Sequence, residues 1–160
     1  MKPAENLPPF MPGLAPHLIC DGAADAIEFY KKAFDAEEMM RLPAPDGRLM
    51  HAAVSVNGCM VMLMDEFREN AKALGPKALN GTPVVLHLAV ADVDAVFAQA
   101  VAAGGKAVLS PTDMFWGDRY GQIEDPFGHL WSMATPGAPK SADEILEASR
   151  NAGSCGEVSA

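Results

Sequence analysis

The sequence predicts an α+β fold of two paired βαβββ units, whose mixed sheets curve around a shared cavity, followed by a short C-terminal helix. The first observation is an internal repeat, because a shift of 70 residues places His17-Leu18 on His87-Leu88 and Gly58 on Gly128. The second is that strand and helix signals follow in the same order in both halves. The third is size: a unit of about 65 residues buries too little apolar surface to fold well alone, so the halves are expected to form one domain.

In the first half, apolar runs and one helical pattern define the elements. A strand is predicted over Leu14 to Cys20, and a helix from Ala23 to Phe34 that buries Ile27 and Tyr30. Three further strands complete the unit, near residues 38–43, 48–56 and 59–65.

The second half repeats this pattern with clearer boundaries. Alternating residues predict a strand over Val84 to Val90, and Asp92 is a suitable N-cap for a helix that runs to about Ala103. Gly104-Gly105 ends that helix. Its predicted buried stripe is Val93, Val96, Phe97, Ala100 and Val101, and its three later strands lie near 106–110, 119–124 and 129–135.

Domain limits follow from these elements and from composition. Residues 1–13 carry four prolines and no apolar core with a cleavage site, so they are predicted to be a disordered segment rather than a secretory signal. Ser141 and Glu144 form a capping box that opens the C-terminal helix, which runs to about Arg150. The predicted organisation is a single domain over 14–136, with repeats 14–65 and 84–135, linker 66–83, and the C-terminal helix and tail over 137–160.

Composition and charge limit the function classes. Of 160 residues, 49% are hydrophobic and 21% are charged, which suits a globular core and excludes disorder throughout. The formal net charge of −9 has the wrong sign for wrapping nucleic acid or binding an anionic membrane, so neither is an expected partner. No stretch approaches the ~18 apolar residues of a membrane span.

The number of cysteines indicates the cellular compartment of the protein. Cys20, Cys59 and Cys155 are an odd and sparse set, which argues against a disulfide framework and for the reducing cytoplasm. Cys20 and Cys59 are predicted on the helix-facing sides of their strands, as buried and unreactive thiols.

Two hairpin turns predict which side chains share the sheet face that no helix covers. A two-residue type I′ turn at Asn57-Gly58 sets Ala53 opposite Met62 and His51 opposite Met64. The second turn is predicted over residues 125–128, with Gly128 in the left-handed region. It pairs Tyr120 with Ala134, Gln122 with Ser132, and Glu124 with Leu130.

These features together resemble the vicinal oxygen chelate superfamily, which includes glyoxalase I, extradiol dioxygenases and bleomycin-resistance proteins. The segments Pro16-His17-Leu18, Ile27 to Tyr30, Met50-His51-Ala52 and FWGDRYGQIEDPFGHLWSMAT (115–135) look like its PhnB-like branch. The resemblance covers about residues 14–136 and implies a divalent metal held by the first and last strands of each unit. Carried over to this chain, those metal positions are Ala15, Met62, Val85 and Ser132, none of which is a strong ligand for a catalytic divalent ion.

The histidines allow two interpretations. His17 and His87 lie two residues beyond vacated metal positions, so they face the same cavity. With His51 and Glu124 they could form a displaced site for zinc, manganese, iron or nickel. Alternatively they are polar groups that line a pocket and orient a ligand by hydrogen bonding. His129 is predicted to be a solvated turn residue.

Other side chains complete the predicted pocket. Met60, Met62 and Met64 lie on the inward face of one strand, either as core or as an adaptable pocket floor. Tyr120 points inward and Trp116 is free to cap the pocket, whereas Trp131 is predicted to pack under the second helix. Arg119 is interpreted as one half of a local ion pair with Asp118, or as an anion clamp. The candidate ligand-binding residues are therefore His17, His51, Met62, His87, Trp116, Arg119, Tyr120, Gln122, Glu124 and Ser132.

Three functions remain open from the sequence. The first is a homodimeric binding module of the bleomycin-resistance type, which takes a small molecule and needs no cofactor. The second is a lyase, isomerase or dioxygenase that uses the displaced divalent metal. The third is metal-free acid–base catalysis, for which the candidates are His17, His87 and Tyr120.

Overall fold

The computed structural model describes residues 14–69 and 73–152. The predicted disordered segment 1–13 and Cys155 lie outside the described residues. The first unit contains β1 (His17–Cys20), α1 (Ala23–Phe34), β2 (Glu37–Pro43), β3 (Leu49–Val56) and β4 (Cys59–Asp65). The linker contains the short α2 (Pro76–Leu79). The second unit contains β5 (Val85–Ala89), α3 (Val93–Ala102), β6 (Lys106–Asp113), β7 (Arg119–Glu124) and β8 (Leu130–Thr135), and α4 (Ala142–Asn151) follows.

The strands form two mixed four-stranded sheets of identical topology. Their orders are β1-β4-β3-β2 and β5-β8-β7-β6. In each sheet the first strand runs parallel to the last strand of its unit, and the other neighbours are antiparallel. The predicted α+β fold of two βαβββ units is confirmed.

Some boundaries differ from the prediction for local reasons. β1 begins at His17 rather than Leu14, since Pro16 has no N–H to donate to a sheet, although its carbonyl accepts from the Met62 N–H at 2.9 Å. β6 continues to Asp113 through two register irregularities. Val101 was predicted in the buried stripe of α3, but it is 38% exposed and that assignment is wrong.

Both hairpin turns set the predicted register. Asn57 and Gly58 have φ values of 49° and 77°, the left-handed conformation that a type I′ turn requires, and Ala53 opposes Met62. Gly128 closes the second turn at φ 91°. All three predicted pairs between β7 and β8 are present. Alternation then fixes which side chains lie on the helix-covered face and which lie on the other, open face.

The main helices of the two units, α1 and α3, have different N-terminal caps. The Asp92 carboxylate accepts from the Ala95 N–H at 3.0 Å, as the sequence predicted for α3. At α1 the N-cap is Gly22, which has no side chain to offer. Asp65, at the end of β4, accepts there from the N–H groups of Gly22 and Ala23 at 3.2 and 2.8 Å.

A single core joins the two units. It includes residues of both helices and of the helix-covered faces of both sheets. Trp131 of β8 was predicted to pack under α3, but its ring contacts Tyr30 and Phe34 of α1, with centroids 5.3 and 4.8 Å apart. The Tyr30 hydroxyl also donates to the Asp125 carboxylate at 2.7 Å. Each unit therefore supplies part of the core of the other.

Each hairpin turn also binds the end of the first strand of the opposite unit. Asn57 donates through Nδ2 to the Ala89 carbonyl at 2.9 Å. His129 Nε2 lies 3.1 Å from the Ile19 carbonyl and 3.8 Å from Cys20 Sγ. His129 is only 8% exposed, so its prediction as a solvated turn residue was wrong. Of the two thiols predicted to be buried, Cys20 is buried and Cys59 is exposed.

The environment of His129 predicts a pH-dependent stability. Burial lowers its pKa, although the Asp125 charge acts in the opposite direction. A histidine in the unfolded chain has a pKa of about 6.5, so as the pH falls below that value the unfolded state takes up a proton first. We expect the free energy of unfolding to fall with decreasing pH in this range, by at most about 1.4 kcal/mol per pH unit for this one group.

Urea denaturation at pH 7.5, 6.5 and 5.5 measures this dependence. His129→Gln keeps a donor for the Ile19 carbonyl but cannot be protonated, so its stability should vary less with pH. If the free energy of unfolding changes equally with pH in the wild type and in His129→Gln, His129 is not the group that causes the pH dependence.

The last helix is set apart from the core. Ser141 and Glu144 form the predicted capping box, and no residue of α4 is buried. The Lys140 ammonium group donates to the Phe115 carbonyl at 3.0 Å, which places the start of α4 near the β6–β7 turn. Within residues 14–69 and 73–152, no helix is long and apolar enough to cross a lipid bilayer.

Candidate functional site

The open faces of the two sheets carry most of the candidate side chains. In the first sheet, Met62 lies beside Ala53 on the face opposite the core residues Val61 and Leu63. In the second, Val85 and Ser132 lie on the face opposite Leu86 and Trp131. Alternation thus places three of the four family metal positions on open faces, and Ala15 lies two residues before the start of β1.

His87 is held in one orientation on the second sheet. Its Nδ1 lies 2.8 Å from the Ser132 hydroxyl oxygen, and that hydroxyl donates to the Leu86 carbonyl at 3.5 Å. The Ser132 contact therefore uses Nδ1, and Nε2 is the ring nitrogen left for a ligand; Nε2 accepts a hydrogen bond in the tautomer that carries its proton on Nδ1. Among the described residues, no hydrogen-bond partner of Nε2 is found.

Aromatic rings extend this site. The rings of His87 and Tyr120 are stacked, with centroids 6.3 Å apart and planes 14° from parallel. Trp116 meets Tyr120 edge to face at 5.9 Å, and Phe115 meets Trp116 in the same way at 4.9 Å. Trp116 lies in the β6–β7 turn, so it stands at the border of the open face, as a capping residue would.

Gln122 and Glu124 complete the polar part of this face. Gln122 opposes Ser132, and Glu124 opposes Leu130. Glu124 is half-buried, and its carboxylate lies 3.9 Å from the Lys106 ammonium group. We name the group of His87, Trp116, Tyr120, Gln122 and Ser132 the aromatic site.

The first sheet brings together two other candidates. The rings of His17 and His51 lie 5.6 Å apart, nearly perpendicular to each other. Met62 is the neighbour of His17 across the β1–β4 pairing. Burial, and secondly the charge of His51, lower the pKa of His17, so both effects favour its neutral form at pH 7.

A cleft of about 610 Å³ lies where the two units approach each other. Residues 14–16 border it on one side and Val85–Ala89 on the other, so Ala15, Val85 and His87 share it. Met60 and the exposed Cys59 also line it. Its volume is within the range of small-molecule pockets, which is about 300–1,000 Å³.

Arg119 does not belong to the aromatic site. Its guanidinium forms a two-pronged ion pair with Asp94 of α3 and a further bond of 3.1 Å to Asp113. The predicted partner Asp118 instead accepts from the Gly137 N–H at 3.2 Å. The side chain is therefore committed to the helix-covered side of β7, and the predicted pair with Asp118 was wrong.

The displaced divalent site is not assembled in one chain. Among the described residues, no three His, Cys, Asp or Glu side chains lie close enough together to hold one ion. His17 and His51 meet in the first sheet, whereas His87 and Glu124 belong to the second. The family metal positions offer only a methyl, a thioether, an isopropyl and a hydroxyl group, a donor set that does not fit a catalytic divalent ion.

Two contributors were missed by the sequence analysis. Phe115 supports Trp116, and Cys59 borders the cleft. The adjacent aromatic residues 115–116, directly before Gly117, were the available signal for the first. Cys59 begins β4 directly after the turn, and its exposure is visible only in the folded chain.

The comparisons agree with this architecture. A family model of the Glyoxalase/Bleomycin resistance protein/Dioxygenase superfamily matches residues 13–133. The chain therefore belongs to this superfamily, which is the vicinal oxygen chelate group indicated by the sequence. The uncharacterized protein Mb0911c of Mycobacterium bovis is 50% identical over 144 residues, which are 89% of this chain and 95% of that protein.

Solved structures show the same fold. TioX from Micromonospora sp. ML1 matches with a TM-score of 0.62 and 27% identity, over 76% of this chain and 96% of TioX. The PhnB protein from Bacillus cereus matches with a TM-score of 0.61 and 20% identity, over 76% of this chain and 98% of that chain. The latter likeness concerns the fold alone.

Proposed function

We propose that this chain is a binding protein for a flat small molecule with an N–H or O–H donor, held at the aromatic site without the divalent ion typical of the superfamily. The observation that carries the proposal is the fixed imidazole of His87. Ser132 occupies its Nδ1 at 2.8 Å, Tyr120 stacks on its ring, and Nε2 is left to accept from a ligand.

The surroundings favour an aromatic ligand. Tyr120 and Trp116 present ring surfaces in an edge-to-face pair, against which a further ring can pack. The formal net charge of −9 favours the approach of a cation over that of an anion. The ligand class is therefore a planar aromatic amine or a similar cation.

A second copy of the chain is the proposed cover of the site. The open faces carry large apolar side chains that are between 37% and 48% exposed. Strand pairing places them there: Met40 and Leu42 on the first sheet, and Val85 and Leu109 on the second. Large apolar side chains exposed on one surface mark interaction sites. We propose a homodimer in which each copy closes the open face of the other. The cytoplasm remains the proposed compartment, on the grounds that cysteines are few and that Cys20 and Cys59, the two in the described part of the chain, are free thiols.

Titration with proflavine, a planar aromatic amine, tests the proposal. We expect saturable quenching of tryptophan fluorescence with one site per chain, since Trp116 borders the site whereas Trp131 is buried. His87→Phe keeps a ring to stack on Tyr120 but loses the acceptor. It should weaken binding about tenfold, which corresponds to about 1.4 kcal/mol.

Two controls sharpen this titration. Trp116→Phe should remove most of the quenching, and His129→Gln, in the core-facing turn, should leave the affinity unchanged. Equal affinities of the wild type and His87→Phe would contradict the assigned site. Light scattering of the same micromolar samples should show a dimer. A monomer would contradict the proposal that each copy covers the open face of the other.

A further inference from the structure

The open face of the first sheet carries a second, independent group of side chains. β4 lies between β1 and β3. His17 and Ala53 flank Met62 in one row of the face. Ile19 is paired with Met64 in the next row, and His51, two residues before Ala53, belongs to that row. The two histidines therefore occupy diagonal corners, and the two methionines lie between them.

The histidine side chains lean towards each other. From strand spacings of about 4.8 Å and a rise of about 3.3 Å per residue, residues on this diagonal have backbones about 12 Å apart. The ring centroids of His17 and His51 are nevertheless only 5.6 Å apart. Both rings therefore lie over β4, above the strand that carries Met62 and Met64.

The separation of the rings suits a shared metal ion. With a metal–nitrogen bond of about 2.0 Å, the ion lies about 3.1 Å from each ring centroid, so two rings on one ion have centroids about 5 to 6 Å apart. The observed 5.6 Å falls within this range.

The chemistry of the ligand atoms indicates which ion the site would bind. We propose that His17 and His51, with the thioether sulfurs of Met62 and Met64, form a binding site for a cuprous ion, Cu(I). Thioethers are soft ligands that select Cu(I), and imidazole suits copper as well. Among their neighbours by strand pairing, Ile19, Leu42 and Ala53 are apolar.

Anaerobic titration with Cu(I) against a chromogenic cuprous chelator tests the site. The background is Cys59→Ser/Cys155→Ser, because free thiolates bind Cu(I) more strongly than thioethers do. We expect one Cu(I) per chain. Met62→Leu/Met64→Leu, which preserves side-chain volume, should weaken binding at least tenfold, and His17→Gln should do the same. Met50→Leu, at an exposed methionine of β3 that is not one of the four ligands, is the matched control and should change nothing.

A second readout locates the ion and guards against misfolding. Silver(I), a redox-inert substitute, should shift the methyl NMR signals of Met62 and Met64 while the other eight methionines stay in place. Circular dichroism checks that each variant is folded. Loss of binding in the Cys59→Ser/Cys155→Ser background, or equal affinities in that background with and without Met62→Leu/Met64→Leu, would overturn the proposal. The proflavine titration is independent, so either proposal can fail alone.

Discussion

Replacing Asp125 with alanine is expected to lower the free energy of unfolding by about 4 kcal/mol, because several buried donors would lose their acceptor together. The carboxylate accepts from the Tyr30 hydroxyl at 2.7 Å and from the Trp131 indole N–H at 3.0 Å. It also accepts from the backbone N–H groups of Phe127 and His129, each at 2.9 Å. Asp125 itself is only 3% exposed, so water cannot easily replace it.

Urea denaturation followed by far-ultraviolet circular dichroism measures this loss. Tyr30→Phe is the matched control, since it removes one of the four donors and leaves the carboxylate in place. It should cost about 1 to 2 kcal/mol. A loss in Asp125→Ala no larger than that in Tyr30→Phe would show that the carboxylate does not organise the junction between the units.

Asp65→Ala is expected to cost about 3 kcal/mol, since it removes both the cap of α1 and a tie to β3. One carboxylate oxygen accepts from Gly22 and Ala23 at the start of the helix, and the other accepts from the Leu49 N–H. The negative charge also lies at the positive end of the helix dipole. Asp65 is 7% exposed, so the freed N–H groups would stay largely unsolvated.

The second unit supplies the comparison for this variant. Asp92 caps α3 from an exposed position with a single bond of 3.0 Å to the Ala95 N–H. Asp92→Ala should therefore cost only about 1 kcal/mol in the same urea experiment. Equal losses for the two substitutions would mean that Asp65 acts as an ordinary local cap.

Local signals in the sequence were sufficient for the architecture. Asn57-Gly58 predicted the first hairpin and the pairing of Ala53 with Met62, because a two-residue turn leaves only one register. Asp92 predicted the start of α3, since an N-cap lies next to the helix that it caps. The repeat predicted two matching sheets, and alternation along β8 predicted that Ser132 lies on the open face.

Partners that are distant in the chain could not be predicted in this way. Asp65 reaches a helix that starts 42 residues earlier, and Arg119 pairs with Asp94 rather than with its neighbour Asp118. The leaning of His17 towards His51 depends on side-chain rotamers, which no pattern of residue types records. Such contacts decide which candidates form a site, so the predicted list was broader than the clusters that the fold produces.

The bonds that cross between the units also bear on how the chain is made. Asp125 lies 95 residues after Tyr30, and His129 lies 110 residues after Ile19. During synthesis the first unit leaves the ribosome with its aromatic helix face uncovered, and it stays so until the final hairpin emerges. A chaperone would therefore bind the chain most strongly at this stage of synthesis. A chain truncated before the final hairpin would keep this apolar surface exposed.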